Sequence, residues 1–305
     1  MNRRRFLRTL AAGAAGSTLL PLEALAADET RLVILHTNDT HSRIDPFPMD
    51  GGRNQGLGGV ARRASLIKRI RASQDNVLLL DSGDIFQGTP YFNFYHGEIE
   101  FKAMSAMRYD VATIGNHDFD NGVQGFVDMQ PHATWDWVSA NYEVFGSGME
   151  PYVRPWVIRE VAGIRVGILG VGIEFEGLVL ASLHEGVRYT DPILAARRAA
   201  TELRERGCDL VICLSHLGHF SRGDRPSDPA IAREVPEVDI VLGAHSHTFL
   251  NEPEVIRDDH GTRLVNQVGF AGIRLGRIDL VVDPDRRPRR WFASAYDIDR
   301  RLDYL

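Results

Sequence analysis

Five times along this chain an apolar, β-branched run breaks into a short turn crowded with Asp, Asn, His and Gly. Arg31 to Thr37 leads into Asn38-Asp39-Thr40-His41, Val77 to Leu80 into Asp81-Ser82-Gly83-Asp84, and Val111 to Ile114 into Gly115-Asn116-His117-Asp118. Leu210 to Leu214 leads into Ser215-His216, and Ile240 to Leu242 into Gly243-Ala244-His245-Ser246-His247. Near-continuous apolar runs suit strands covered on both faces. Polar residues at the carboxyl ends of such strands are where ligand sites gather in α/β sheets.

Between the runs lie helical segments. Residues 60–72 are basic and amphipathic, residues 99–107 follow, and residues 229–233 form a shorter piece. Residues 191–206 open with Asp191-Pro192, an N-cap and a first helical residue, and stop at Gly207. Residues 153–160 and 164–171 read as a hairpin around Ala162-Gly163. Past residue 250 the pattern is all strand: Val255-Ile256, Leu264 to Val268, Gly276 to Val282 and Trp291 to Tyr296. Alternation followed by a strand-rich end predicts an α/β fold of two packed sheets with helices outside. No linker interrupts it, so residues 27–305 are expected to form one domain. The loop from Asp45 to Gly59 carries five Gly and two Pro but lacks the Gly-Lys-Ser/Thr ending of a P-loop.

The first 26 residues stand apart. Arg3, Arg4, Arg5 and Arg8 form a basic start with a twin-arginine look, a short Gly- and Ala-rich apolar run follows, and Ala24-Leu25-Ala26 offers a cleavage site. The expectation is a signal peptide, with export to the periplasm or beyond, and no membrane anchor: the run is too short to span and is broken by Pro21. The whole chain has 35 basic and 41 acidic residues; less four Arg and one Glu, 31 and 40 remain, a formal −9. So acidic a surface argues against coating a nucleic acid. It leaves room for small phosphate substrates, because bound cations reverse the local sign. The two cysteines, Cys208 and Cys213, sit five residues apart on one extended stretch, about 16 Å. That is too far for a disulfide.

The polar turns carry the chemistry. Asp39 and His41 are i and i+2, as are His245 and His247, so on extended backbone each pair points to one side. Asp84, Asn116 and His216 add a carboxylate, an amide and an imidazole at other strand ends. Any one of these alone is an ordinary turn or core residue. Together they form a mixed N/O ligand set suited to Zn, Mn, Fe or Co. It has too few carboxylates for a Ca²⁺ cage and too many His for a pure Mg²⁺ site. Seven ligands exceed one tetrahedral ion and fit two ions sharing a carboxylate, as in two-metal hydrolysis.

The order Asp39-x-His41, Gly83-Asp84, Gly115-Asn116-His117-Asp118, His216 and Gly243-x-His245-x-His247 resembles that of calcineurin-like metallophosphoesterases. Leu35 to Ser42, Asn116-His117-Asp118-Phe119-Asp120 and Leu214 to Gly218 are similar to the N-terminal catalytic domain of the 5′-nucleotidase branch. The resemblance implies a four-layer αββα sandwich of two mixed sheets flanked by helices. It implies that Asp39, His41, Asp84 and His247 hold one divalent metal ion and Asp84, Asn116, His216 and His245 the other. His117 would face the phosphate or the leaving oxygen, oriented by Asp120. The substrate implied is a small-molecule phosphate ester, a 5′-nucleotide or a relative. That branch often has Gln where His247 stands, and its second, substrate-clamping domain has no counterpart before Leu305. A separately encoded partner could supply that domain. The same ligands would also serve a cyclic-nucleotide or nucleotide-sugar phosphodiesterase, a sulfur-ester hydrolase, or a metal-binding interaction subunit without activity; His117 and Asp120 argue against the last.

The other candidates read blandly. His36 belongs to the core or to the back of the site, and His219 to a solvated loop. His96, His132, His184 and His260 have no partner spacing. Phe86, Tyr91, Phe92, Phe94 and Tyr95 read as core packing beneath the loop after Asp84.

Overall fold

The computed structural model describes residues 30–304 apart from 221, 222, 224 and 283–287. The signal peptide expected at residues 1–26 therefore lies outside the described residues. Among the described residues no helix is long and apolar enough to cross a membrane.

In chain order the strands are β1 (Thr30–Thr37), β2 (Val77–Asp81), β3 (Val111–Thr113), β4 (Asp136–Val138), β5 (Tyr142–Glu143), β6 (Val153–Arg154), β7 (Trp156–Val161) and β8 (Ile164–Gly172). They continue with β9 (Arg188–Tyr189), β10 (Leu210–His216), β11 (Ile240–Leu242), β12 (Glu254–Asp258), β13 (Gly261–Asn266), β14 (Arg274–Val282) and β15 (Pro288–Asp297). The helices are α1 (Val60–Ser73), α2 (Pro90–Tyr95), α3 (Glu98–Met107), α4 (Gly122–Met129), α5 (Pro192–Glu205) and α6 (Asp228–Glu234). One sheet runs β15-β14-β1-β2-β3-β4-β6 and the other β12-β13-β11-β10-β8-β7, each mixing parallel and antiparallel pairs.

Side-chain alternation builds four layers from these two sheets. On β1, Leu32 and Ile34 join Leu78, Leu80, Ile168, Ile212, Leu214 and Leu242 in a core drawn from both sheets. Val33 and Leu35 point the other way, into a cluster with Leu66, Ile67 and Ile70 of α1 and Phe101 and Met104 of α3. On the second sheet Val211, Cys213 and Val241 meet Ala196, Ala199, Ala200 and Leu203 of α5 and Ile231 and Ala232 of α6. Each fully buried Leu or Ile contributes about 1.5–3 kcal/mol relative to exposure, so strands apolar on both faces hold the sandwich from both sides. The two cysteines are free and buried, as their spacing predicts.

Polar links fix the sheets to each other. His36 of β1 is fully buried and accepts from Asn266 Nδ2 of β13 at 3.0 Å; burial pushes its pKa down to about 3, so the ring is neutral. Opposite it stands Gly276, where a Cβ would lie 2.1 Å from His36 Nε2. Asp191 caps α5 as expected, accepting from Leu194 N at 2.9 Å.

Two expectations need correction. The strand read at residues 153–160 is two strands. Pro155, which has no N–H to pair, separates β6, paired with β4 in the first sheet, from β7, paired with β8 in the second. The aromatic run after Asp84 is only partly core. Phe86 and Phe92 are buried, but α2 leaves Phe94 at 77% and Tyr95 at 48% exposure.

Candidate metal centre

All five polar turns reach one end of the sandwich. Their backbone is unusual: Asp39, His41, Asp84, His245 and His247 have positive φ, between 47° and 65°. Such residues cost on the order of 1–3 kcal/mol each and persist where the surroundings over-determine them. The expectation of extended backbone at Asp39-x-His41 and His245-x-His247 is therefore wrong, and the consequence is structural. Left-handed turns send His245 and His247 to different groups instead of one side.

The first group is Asp39, His41 and His247, and the second is Asp84, His216 and His245; in each, ligand atoms lie within 4.8 Å of one another. In the first, His41 Nε2 lies 3.0 Å from His247 Nε2 and 4.0 Å from Asp39 Oδ1, and His247 Nε2 lies 3.4 Å from Asp39 Oδ1. In the second, His216 Nε2 is 3.1 Å from Asp84 Oδ2. Asn116 joins through Oδ1, 3.0 Å from His245 Nδ1. Asp84 stands between the groups, since its Oδ2 is also 3.8 Å from His41 Nε2. The seven residues named from sequence thus converge.

The electrostatics call for positive charge here. Burial opposes ionisation of Asp84, yet His216, His41 and His117 hold its carboxyl well below the usual carboxylate range. Burial likewise opposes a charged His216, but the Asp84 carboxylate and then Asp39 lift it to about 10. Burial, then the adjacent His216, push His245 down to about 4, and burial lowers His41. A proton on His216 or a divalent cation meets the same need of Asp84. The buried His216 Nε2 faces the Asp84 carboxylate at 3.1 Å without the geometry of a good hydrogen bond, and two imidazole nitrogens 3.0 Å apart beside carboxylates are a cation-binding set. The residues present fit divalent cations, and the donor set leaves their identity open.

Residues behind the ligands hold them in place. His216 Nδ1 donates to Ser82 O at 2.7 Å and His41 Nδ1 to Phe86 O at 3.2 Å. The Asp118 carboxylate accepts from Asp84 N at 3.0 Å, Ile85 N at 2.8 Å and Gly115 N at 2.8 Å. It ties two ligand turns together. Asn38 accepts from Val268 N at 3.1 Å and donates to Asp39 Oδ2 at 2.6 Å. Buried Asp228 accepts from Ser215 Oγ at 2.6 Å and Gln267 Nε2 at 3.3 Å. Asp118 was visible in its motif; Asp228 and Gln267, outside every motif, gave no signal. His219 is not the solvated histidine expected: its side chain is 8% exposed and faces Glu254 at 3.4 Å.

Gly115 explains why the turn admits no side chain. A Cβ there would meet Asp84 Oδ1 at 2.2 Å and His216 Cε1 at 2.6 Å. Gly115→Ala is expected to cost roughly 1–3 kcal/mol of stability by overpacking and to weaken metal binding. Thermal melts and metal analysis check this, and wild-type values in both would show that the turn yields freely.

Beside the two groups lies a His–carboxylate pair. His117 Nδ1 is 2.8 Å from Asp120 Oδ2, and that hydrogen bond is the main cause of a raised His117 pKa. With Nδ1 so engaged, Nε2 is the ring nitrogen left for a ligand. The His117 ring centroid is 5.3 Å from that of His41, its side chain is 35% exposed, and its backbone N donates to Asp84 Oδ1 at 2.8 Å.

Comparison with known proteins agrees with this geometry. The calcineurin-like phosphoesterase family matches residues 32–249. A snake venom 5′-nucleotidase of Crotalus adamanteus is 37% identical over 281 residues, covering 85% of this chain and 47% of the relative. The 5′-nucleotidase of Homo sapiens is 36% identical, covering 97% and 50%. The crystal structure of a 5′-nucleotidase precursor from Thermus thermophilus superposes with a TM-score of 0.79 at 31% identity, over 90% of this chain and 55% of that one. The chain spans about half the length of these relatives. With the family matched over residues 32–249 and relatives above 30% identity along most of its length, the chain belongs to the calcineurin-like phosphoesterase family.

Proposed function

We propose that this chain is an exported, metal-dependent phosphoesterase that hydrolyses phosphate monoesters, 5′-nucleotides foremost. The observation that supports this most is the pairing of Asp39, His41 and His247 with Asp84, His216 and His245 around the shared Asp84, next to His117 and Asp120. In this reading Asp39, His41, Asp84 and His247 hold one divalent ion, and Asp84, Asn116, His216 and His245 hold a second. When bound, such ions supply an easily ionised water and positive charge facing the phosphoryl oxygens.

The chain's own residues do the rest. His117, protonated, donates from Nε2 to the leaving oxygen as its bond to phosphorus breaks and the bond from water oxygen forms in line. Asp120 keeps the Nδ1 proton in place, fixing the tautomer and stabilising the charged ring. The names of the 5′-nucleotidase relatives support nucleotides as first substrates. A separately encoded partner completing the cleft would narrow the substrate range.

The test uses protein recovered from the exported fraction, with AMP and p-nitrophenyl phosphate as substrates. With Mn²⁺ or Zn²⁺ both should turn over. EDTA should cut the rate at least about 100-fold, in line with the several kcal/mol that a catalytic metal supplies, and added metal should restore it. A metal-loaded protein that cleaves no phosphate ester would overturn the activity. Retention of the whole protein inside the cell would overturn export.

A further inference from the structure

The imidazoles of the site are not all held alike. His41 and His216 each fix their second ring nitrogen on a backbone carbonyl, Phe86 O and Ser82 O. This is the usual device for orienting a metal-ligating histidine. His247 has none: among the described residues its Nδ1 takes no protein hydrogen bond, and its side chain is 40% exposed. Instead its ring lies on Phe270, with centroids 5.0 Å apart and planes within 8°.

Phe270 is itself anchored. Its ring meets Phe47 and Phe249 edge-on, at 6.4 and 6.1 Å. Its backbone sits among left-handed residues, Gly269 (φ 84°), Ala271 (φ 56°) and Gly272 (φ 60°). This tight loop is stitched to the turn that carries Asp39. Asn38 Nδ2 donates to Gly269 O at 2.5 Å and Ala271 N to Asp39 O at 2.6 Å. It is stitched also to the segment leaving His247, through Gly269 N to Thr248 O at 2.9 Å. The face of Phe270 is therefore fixed relative to Asp39, the partner of His247 in its group.

We infer that Phe270 is a positioning residue of the metal centre: its aromatic face sets the plane of His247 and so determines the affinity of the Asp39–His41–His247 site, leaving the Asp84–His216–His245 site untouched. The inference rests on the proposed metal-dependent reading but concerns ion binding alone. Stacked face to face as here, the flat ring favours a parallel plane for His247, whereas an aliphatic side chain of similar bulk fills the space without choosing a plane.

The experiment measures Zn²⁺ affinity and stoichiometry by competition with chelators of graded strength, and the visible absorption of the Co²⁺-loaded protein. Thermal melts confirm folding. Phe270→Leu should lower affinity at one site by about 10–100-fold, the usual cost of losing the support behind a metal ligand, and should alter the absorption of one of two bound Co²⁺. Phe270→Tyr should restore both readouts. Phe270→Ala should behave like the Leu variant, and if it fails to fold, the Leu and Tyr pair carries the test. Equal affinities in the Leu variant and wild type, or equal weakening of both sites, would overturn the inference. A wild-type protein that binds two ions yet hydrolyses no ester would sink the proposed function and leave this inference standing.

Discussion

Asp84→Ala is expected to lower kcat/KM by at least about 10³-fold and to release both ions. One carboxylate stands 3.1 Å from His216 Nε2 and 3.8 Å from His41 Nε2, so its loss opens both groups at once. Removing a single well-placed electrostatic group in an active site costs about 10²–10³, and in the proposed two-ion reading charge stabilisation is lost twice. The variant also leaves the part-buried His117 N without its acceptor at 2.8 Å, at about 1 kcal/mol for a lost hydrogen bond. Asp84→Asn, which keeps an oxygen for that N–H, should fold better and still lose most activity. Kinetics and ions per chain decide it. Near-normal rates with two ions retained would show that Asp84 bridges nothing.

His117→Ala should separate chemistry from metal binding. It is expected to slow kcat by on the order of 10²–10⁴, the usual share of general acid catalysis, with two ions still bound. The loss should be smaller on p-nitrophenyl phosphate than on AMP, because p-nitrophenolate leaves without needing a proton and a ribose alkoxide does not. Asp120→Asn should move in the same direction by less, since it disturbs the His117 tautomer at the 2.8 Å contact and leaves the ring in place. Loss of an ion in the His117 variant would make it a ligand instead. Equal losses on both substrates would remove its role as proton donor.

The architecture was readable because its strands are apolar on both faces. Leu32 and Ile34 against Val33 and Leu35 need cover on two sides, which a layered α/β architecture gives. The residues that the structure brings together were readable because they sit where those runs stop. What escaped was set by backbone conformations that residue type does not announce. Spacing alone implied a shared side for His245-x-His247 and only the resemblance separated them; the backbone there is left-handed, with φ values of 65° and 52°, and the two rings join different groups. Short elements escaped for another reason. The three residues of β4 and the six of α2 are too short to repeat either pattern, at fewer than two full periods each. Pro155 was visible, but only the pairing of β6 with β4 reveals that the chain changes sheets there. Phe270 had no signal at all. It is one aromatic among 14 Phe, and its place against His247 depends on a loop tied to a turn over 200 residues away.

The central claim is that two divalent ions sit side by side and share Asp84. Crystals grown with Mn²⁺ or Zn²⁺ and measured at the metal's absorption edge test it directly. The account predicts two anomalous peaks about 3.5–4 Å apart, one against Asp39, His41 and His247, the other against Asn116, His216 and His245, with Asp84 oxygens touching both. A single peak, or two peaks that share no carboxylate, would contradict it.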